Sequence, residues 1–107
     1  MKIHFWKYQA TGNDFILLDN RDRGIRLTTD QIIRLCDRKF GIGADGLMLI
    51  EPHSQLDFTL QYFNSDGSQS LCGNGSRAAV NFAASLGMVH DGTSFEAYDG
   101  RHDANQL

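Results

Sequence analysis

The sequence predicts an α+β domain in which a β-sheet wraps around one enclosed helix. Leu56, Phe58, Leu60 and Tyr62 alternate with polar or lighter positions, the two-residue period of a strand with one buried face. Between about Gly75 and Leu86, the residues Ala78, Ala79, Val80, Phe82, Ala83, Ala84 and Leu86 cover nearly every side of a helix. Such a helix must be enclosed by other structure. Eleven glycines against one proline punctuate short apolar runs, which indicates tight turns rather than linkers.

Composition narrows the class. At 107 residues the chain is one domain at most, and 41% hydrophobic residues are enough to build a core. The net charge of −3 is mild and the ten basic residues are scattered, so no cationic track for nucleic acid exists. No apolar run approaches the length that crosses a bilayer, and MKIHFWKY lacks the apolar core of a signal peptide. Two cysteines in that setting predict free thiols and a cytoplasmic protein.

Taken in order, Lys2 to Tyr8 is rich in aromatic and β-branched residues and reads as a strand. Ala10 to Asp14 is turn chemistry, and Phe15 to Leu18 a short apolar strand beyond it. Thr28 or Thr29 caps a helix expected to run to about Lys39, with Asp30 in its first turn and Gly41 closing it. Ile32, Leu35 and Cys36 form the apolar stripe of that helix, which assigns Cys36 to the core. Gly41 to Gly46 is a glycine-rich turn feeding the strand Leu47 to Ile50, which Pro52 ends. The alternating strand then delivers Asn64, and a polar turn leads to Cys72 and the enclosed helix, with Gly87 as its C′ residue. Thr93 to Tyr98 reads as a strand and Asp99-Gly100 as a hairpin turn. The partner strand is expected to be only beginning where the sequence ends, the mark of a truncation.

The chemistry concentrates at Cys72. A free cysteine is often just a small buried hydrophobe, but here the neighbours are Gly, Asn and Ser rather than packing partners. A thiol at a helix N-terminus has a lowered pKa, because unpaired N–H groups and the helix dipole favour an anion there. The four residues between Cys72 and Arg77 also fit the count of a sulfurtransferase loop. Against this, six polar or turn residues, Ser65 to Ser70, separate that loop from the preceding strand. His4, His53, His90 and His102 share no ligand spacing with the cysteines, so no metal is expected. Gly41 to Gly46 follows a helix, not a strand, and reads as a turn rather than a nucleotide loop. Asn13 and Asn64 each stand at a strand–turn junction, where an asparagine either caps its own backbone or fixes a polar ligand.

Gly12-Asn13-Asp14-Phe15, then Cys36-Asp37-Arg38 with Phe40 to Gly46, then Phe63 to Ser68 and Cys72 to Arg77, together resemble the diaminopimelate epimerase family. The resemblance spans nearly the whole chain. It implies a mixed, mostly antiparallel sheet curled around a central helix, one half of a two-domain enzyme with its active site in the cleft between the halves. It implies cofactor-independent conversion of LL- to meso-diaminopimelate, in the synthesis of lysine and peptidoglycan precursors. By that resemblance Cys72 is one of two catalytic cysteines, Asn13 and Asn64 contact the substrate, and Gly73 and Asn74 supply backbone donors to its α-carboxylate. The second cysteine belongs to a C-terminal half. Residues 1–107 are then expected to be the N-terminal domain, inactive alone, of an enzyme that forms a homodimer. Two positions depart from some relatives: Gly46 stands where they carry a substrate-contacting glutamine, and Ala78 where they carry a further cysteine.

Inverting a Cα requires removing a proton on one face and supplying one on the other, so two groups must flank the carbon. A thiolate and a thiol that exchange roles satisfy this symmetry. The carbanion needs electrostatic support, for which helix-end N–H groups are suited. The alternatives are an isomerase of the proline-racemase or phenazine-biosynthesis type, a cysteine-loop sulfurtransferase, and a binding module without chemistry.

Overall fold

The computed structural model describes residues 4–10, 12–70, 73–89 and 92–105, with the backbone alone at 10, 73, 74, 92, 104 and 105. Six strands form one sheet in the order in which they occur along the chain. They are β1 (Trp6–Ala10), β2 (Asn13–Asp19), β3 (Gly46–Glu51), β4 (Phe58–Asn64), β5 (Gly92–Ala97) and β6 (Gly100–Asn105). Helix α1 (Thr29–Cys36) connects β2 to β3, and α2 (Gly73–Ser85) connects β4 to β5.

The sheet is mixed. β1–β2, β3–β4 and β5–β6 are antiparallel, whereas β2–β3 and β4–β5 are parallel and therefore need the helical crossovers. The two parallel pairs point in opposite directions. Two crossovers of the same hand then place their helices on opposite faces of the sheet.

Alternation along the strands fills both faces. Ile16, Leu18, Leu47 and Leu49 pack against Ile32 and Cys36 of α1. Phe15, Leu17, Met48, Ile50, Phe58, Leu60, Tyr62 and Phe95 pack with Ala78, Ala79, Val80, Phe82 and Ala83 of α2. Strands β2 and β3 are thus covered on both faces, which is why their sequences are continuous apolar runs.

Helix α1 begins as expected, with Thr28 and Gln31 forming a reciprocal capping box. It ends at Cys36, three residues short of the expected Lys39. The Asp37 carboxylate accepts from the N–H groups of Lys39 and Phe40, and this local bonding competes with the helix. Gly41 lies in the following turn, where its N–H donates to the Asp37 carbonyl, so it does not close the helix.

Helix α2 packs against β1, β2, β3 and β4. Arg77, Asn81 and Ser85, four residues apart, form a narrow ridge facing solvent while the other described sides are buried or half-buried. Gly87 follows at φ 78°, a left-handed conformation that relieves a side chain of its steric cost and ends the helix.

The first strand also differs from expectation. β1 begins at Trp6 rather than Lys2, with residues 1–3 outside the described set, and runs on to Ala10 opposite Asn13. The expected five-residue turn thereby contracts to a tight hairpin. At the other end, the partner of β5 is a complete strand, with Gly92 to Ala97 paired against Asn105 to Gly100. The expectation of a strand only beginning there is corrected. β5 in turn joins β4 by a short register, Phe58↔Phe95 and Thr59↔Glu96.

Candidate functional site

The parallel and antiparallel registers bring distant residues to one end of the sheet. Phe15, Gly46 and Asn64 lie in one row across β2, β3 and β4. Asn13 stands two residues before Phe15 and so shares its face, the face that α2 covers. Asn13 and Asn64 are therefore on the same face, two strand spacings apart across Gly46, a width of about 10 Å.

Helix α2 starts at this end. The Ser70 N–H donates to the Tyr62 carbonyl, tying the chain three residues before Gly73 to β4. At the far end, Arg21 donates to the Leu86 carbonyl, and Arg21 follows the last residue of β2, Asp19. Phe82 meets Trp6 and Tyr8 of β1. The helix thus crosses the sheet diagonally from the Asn64 end toward the opposite corner. Its first turn presents backbone donors toward the end that carries the two asparagines.

Of the expected site residues, Cys72 lies outside the described residues, as does the Asn74 side chain. Gly73 is the first residue of α2. Asn64 is held locally: its amide donates to the hydroxyls of Ser68 at 3.0 Å and Ser70 at 2.9 Å. This network shapes the turn that leads toward α2 and leaves the Asn64 carboxamide in a fixed orientation. Cys36 is 3% exposed inside the α1 face, and burial pushes its thiol pKa up. The core assignment from its helical stripe agrees with this.

On the opposite face of the same end is a cluster of charges that sequence spacing does not reveal. Arg38 donates to both carboxylate oxygens of Asp14, at 2.8 and 3.1 Å, and also to Asp45. Lys7 bonds Asp14 at 2.9 Å and reaches the Gly43 carbonyl. The Asp14 N–H donates to the Asp45 carboxylate, and the Asp45 N–H donates back to the Asp14 carbonyl. The Arg38 guanidinium, assisted by Lys7, holds the Asp14 carboxyl far below the usual carboxylate range against the opposing effect of burial. The cluster clamps the residue beside Asn13 to the turn before Gly46. Asp14, Arg38 and Asp45 occur within the recurrent motifs, but nothing in their order indicates that they meet.

Gly46 is a position of close approach. A Cβ added there would lie 2.7 Å from the Tyr62 hydroxyl oxygen and 2.9 Å from Cζ. Among the described residues, no group of three or more His, Cys, Asp or Glu could hold a metal ion, and no helix is long and apolar enough to cross a membrane.

The family model for diaminopimelate epimerase matches residues 5–103. The chain belongs to the diaminopimelate epimerase family. It is 52% identical over 104 residues to the diaminopimelate epimerase of Flavobacterium psychrophilum, covering 95% of this chain and 41% of that protein. It is 45% identical over 101 residues to the chloroplastic diaminopimelate epimerase of Oryza sativa subsp. japonica, covering 92% of this chain and 28% of that protein. The chain therefore spans less than half the length of these relatives. Among solved structures, a methylitaconate-delta-isomerase superposes with a TM-score of 0.72 at 17% identity, covering 100% of this chain and 61% of that one. A PhzF-family phenazine biosynthesis protein from Bacillus anthracis gives 0.65 at 17% identity, covering 96% of this chain and 34% of that one. These two likenesses establish the mixed α+β fold.

Proposed function

We propose that this chain is the N-terminal part of a diaminopimelate epimerase that converts LL- to meso-diaminopimelate without a cofactor. Within it, Cys72 is one of two cysteines that flank the substrate Cα, and the other comes from the C-terminal half. Asn13 and Asn64 contact the substrate, and the Gly73 and Asn74 N–H groups receive its α-carboxylate. One thiolate removes the Cα proton, and the thiol opposite delivers another to the other face. Backbone donors at the start of α2 stabilise the charge that develops between the two steps.

The observation that carries this proposal is the convergence of Asn13, Asn64 and the first turn of α2 at one end and one face of the sheet, in a chain of this family. Neutral carboxamides and helix-end donors suit a small zwitterion. In the whole enzyme we take the sheet to curl around α2, which supports a cleft at that end. The contact of α2 with four consecutive strands and its narrow exposed ridge are in keeping with such enclosure. A homodimeric, cytoplasmic enzyme completes the proposal.

The test is an epimerisation assay on residues 1–107, alone and with the complementary half of the enzyme added in trans. Conversion of LL-diaminopimelate is expected only in the mixture. Conversion by residues 1–107 alone would overturn the two-thiol mechanism. Racemisation of proline by the full-length enzyme, with diaminopimelate untouched, would overturn the substrate.

A further inference from the structure

Tyr62 is 4% exposed, and its ring meets Phe15 edge-on at a centroid distance of 6.0 Å. Its backbone pairs with Met48, yet its hydroxyl reaches along β3 to the space above Gly46. The side chain therefore leans toward the end of the sheet where Asn13 and Asn64 stand. A phenylalanine would fill the same apolar volume without desolvating a hydroxyl, a cost of about 1–3 kcal/mol when unbonded. Gly46 leaves the space that this hydroxyl occupies, since a Cβ there would overlap it. The carbonyl of Tyr62 also accepts from Ser70, whose hydroxyl accepts from Asn64, so the same residue anchors the turn that leads toward α2.

We propose that Tyr62 is a positioning residue of the site: its hydroxyl, seated in the space left by Gly46, favours negative charge at the start of α2. The inference rests on the assignment of Cys72 as an activated thiol. An O–H dipole held in a low-dielectric setting beside helix-end donors adds to the field that stabilises an anion there.

The experiment is iodoacetamide alkylation of the 107-residue chain across pH 5 to 10, followed peptide by peptide by mass spectrometry. Cys72 is the reporter and buried Cys36 the internal monitor of folding. In Tyr62→Phe the alkylation midpoint of Cys72 is expected to rise by about one pH unit, which slows the reaction roughly tenfold at pH below both midpoints. Gly46→Ala, which displaces the hydroxyl without deleting it, is expected to shift the midpoint in the same direction. Midpoints in both variants that match the unsubstituted chain, with Cys36 still protected, would overturn the role of Tyr62 alone. An unsubstituted Cys72 with the midpoint of a free cysteine would overturn the activated-thiol assignment itself.

Discussion

On the α1 face of the Asn13–Gly46–Asn64 end, Lys7, Asp14, Arg38 and Asp45 lock into one ionic cluster; on the α2 face the same end carries two carboxamides and a phenol. The backbone between them is shared, because alternate residues of β2 point to alternate faces. Asn13 and Asp14 are neighbours in sequence and stand back to back. Rigidity can thus be supplied by charges on one side while the other keeps only neutral polar groups. A doubly zwitterionic ligand meets no fixed charge from these residues that would favour one of its ends over the other. The cluster positions; the carboxamides are left to recognise.

The largest expected effect is on the α2 face. Cys72→Ala in the full-length enzyme is expected to lower the epimerisation rate by several orders of magnitude, measured by conversion of LL-diaminopimelate. Cys36→Ala, in the α1 core, should retain the activity while losing stability. Comparable rates for the two variants would erase the distinction between the thiols. Next is the core beneath α2: Phe82 is fully buried against Trp6 and Tyr8, and Phe82→Ala should cost about 3–5 kcal/mol in urea unfolding.

The ionic face comes third. Asp14→Ala leaves Arg38 and Lys7 without their shared carboxylate, and a loss of about 2 kcal/mol is expected. An unchanged urea midpoint would mean that the cluster is not what fixes this end. The smallest effect is its acid dependence. The folded pKa of Asp14 lies below the unfolded value of about 3.9, so its stabilisation is complete above that value and fades as pH falls toward the folded pKa. Urea midpoints measured between about pH 5 and 2 should therefore decline less steeply in Asp14→Asn than in the unsubstituted chain.

How far the sequence discloses these features follows from the range of the interactions involved. The stripe Ile32, Leu35, Cys36 places Cys36 inside because helical periodicity acts over a few residues. The extent of α2, Gly73–Ser85, lies close to the apolar segment that marks it. The end of α1 escapes the pattern, because the helix yields to an Asp37 carboxylate that bonds the next N–H groups, a contest between two local options. The Asp14 cluster escapes it for another reason: its partners come from β1 and from the segment after α1, joined only by strand register. Tyr62 is legible as inward-facing, but the reach of its hydroxyl over Gly46 depends on side-chain direction along the strand.

Every strand pairs with its neighbour in the chain, so assembly can proceed as a zipper in which each closure spans a short loop. The zipper has a thin tooth. β5 and β6 form a long hairpin of their own, yet they join β4 through only the Phe58 and Thr59 register, reinforced by the Phe58–Phe95 stack at 4.9 Å and the Asp57 bonds to Thr93 and Ser94. That hairpin is set to open as one cooperative unit below the global unfolding energy. In native-state hydrogen exchange, the amides of β5 and β6 should lose protection together and before those of β2 and β3, which are shielded by a helix on either side.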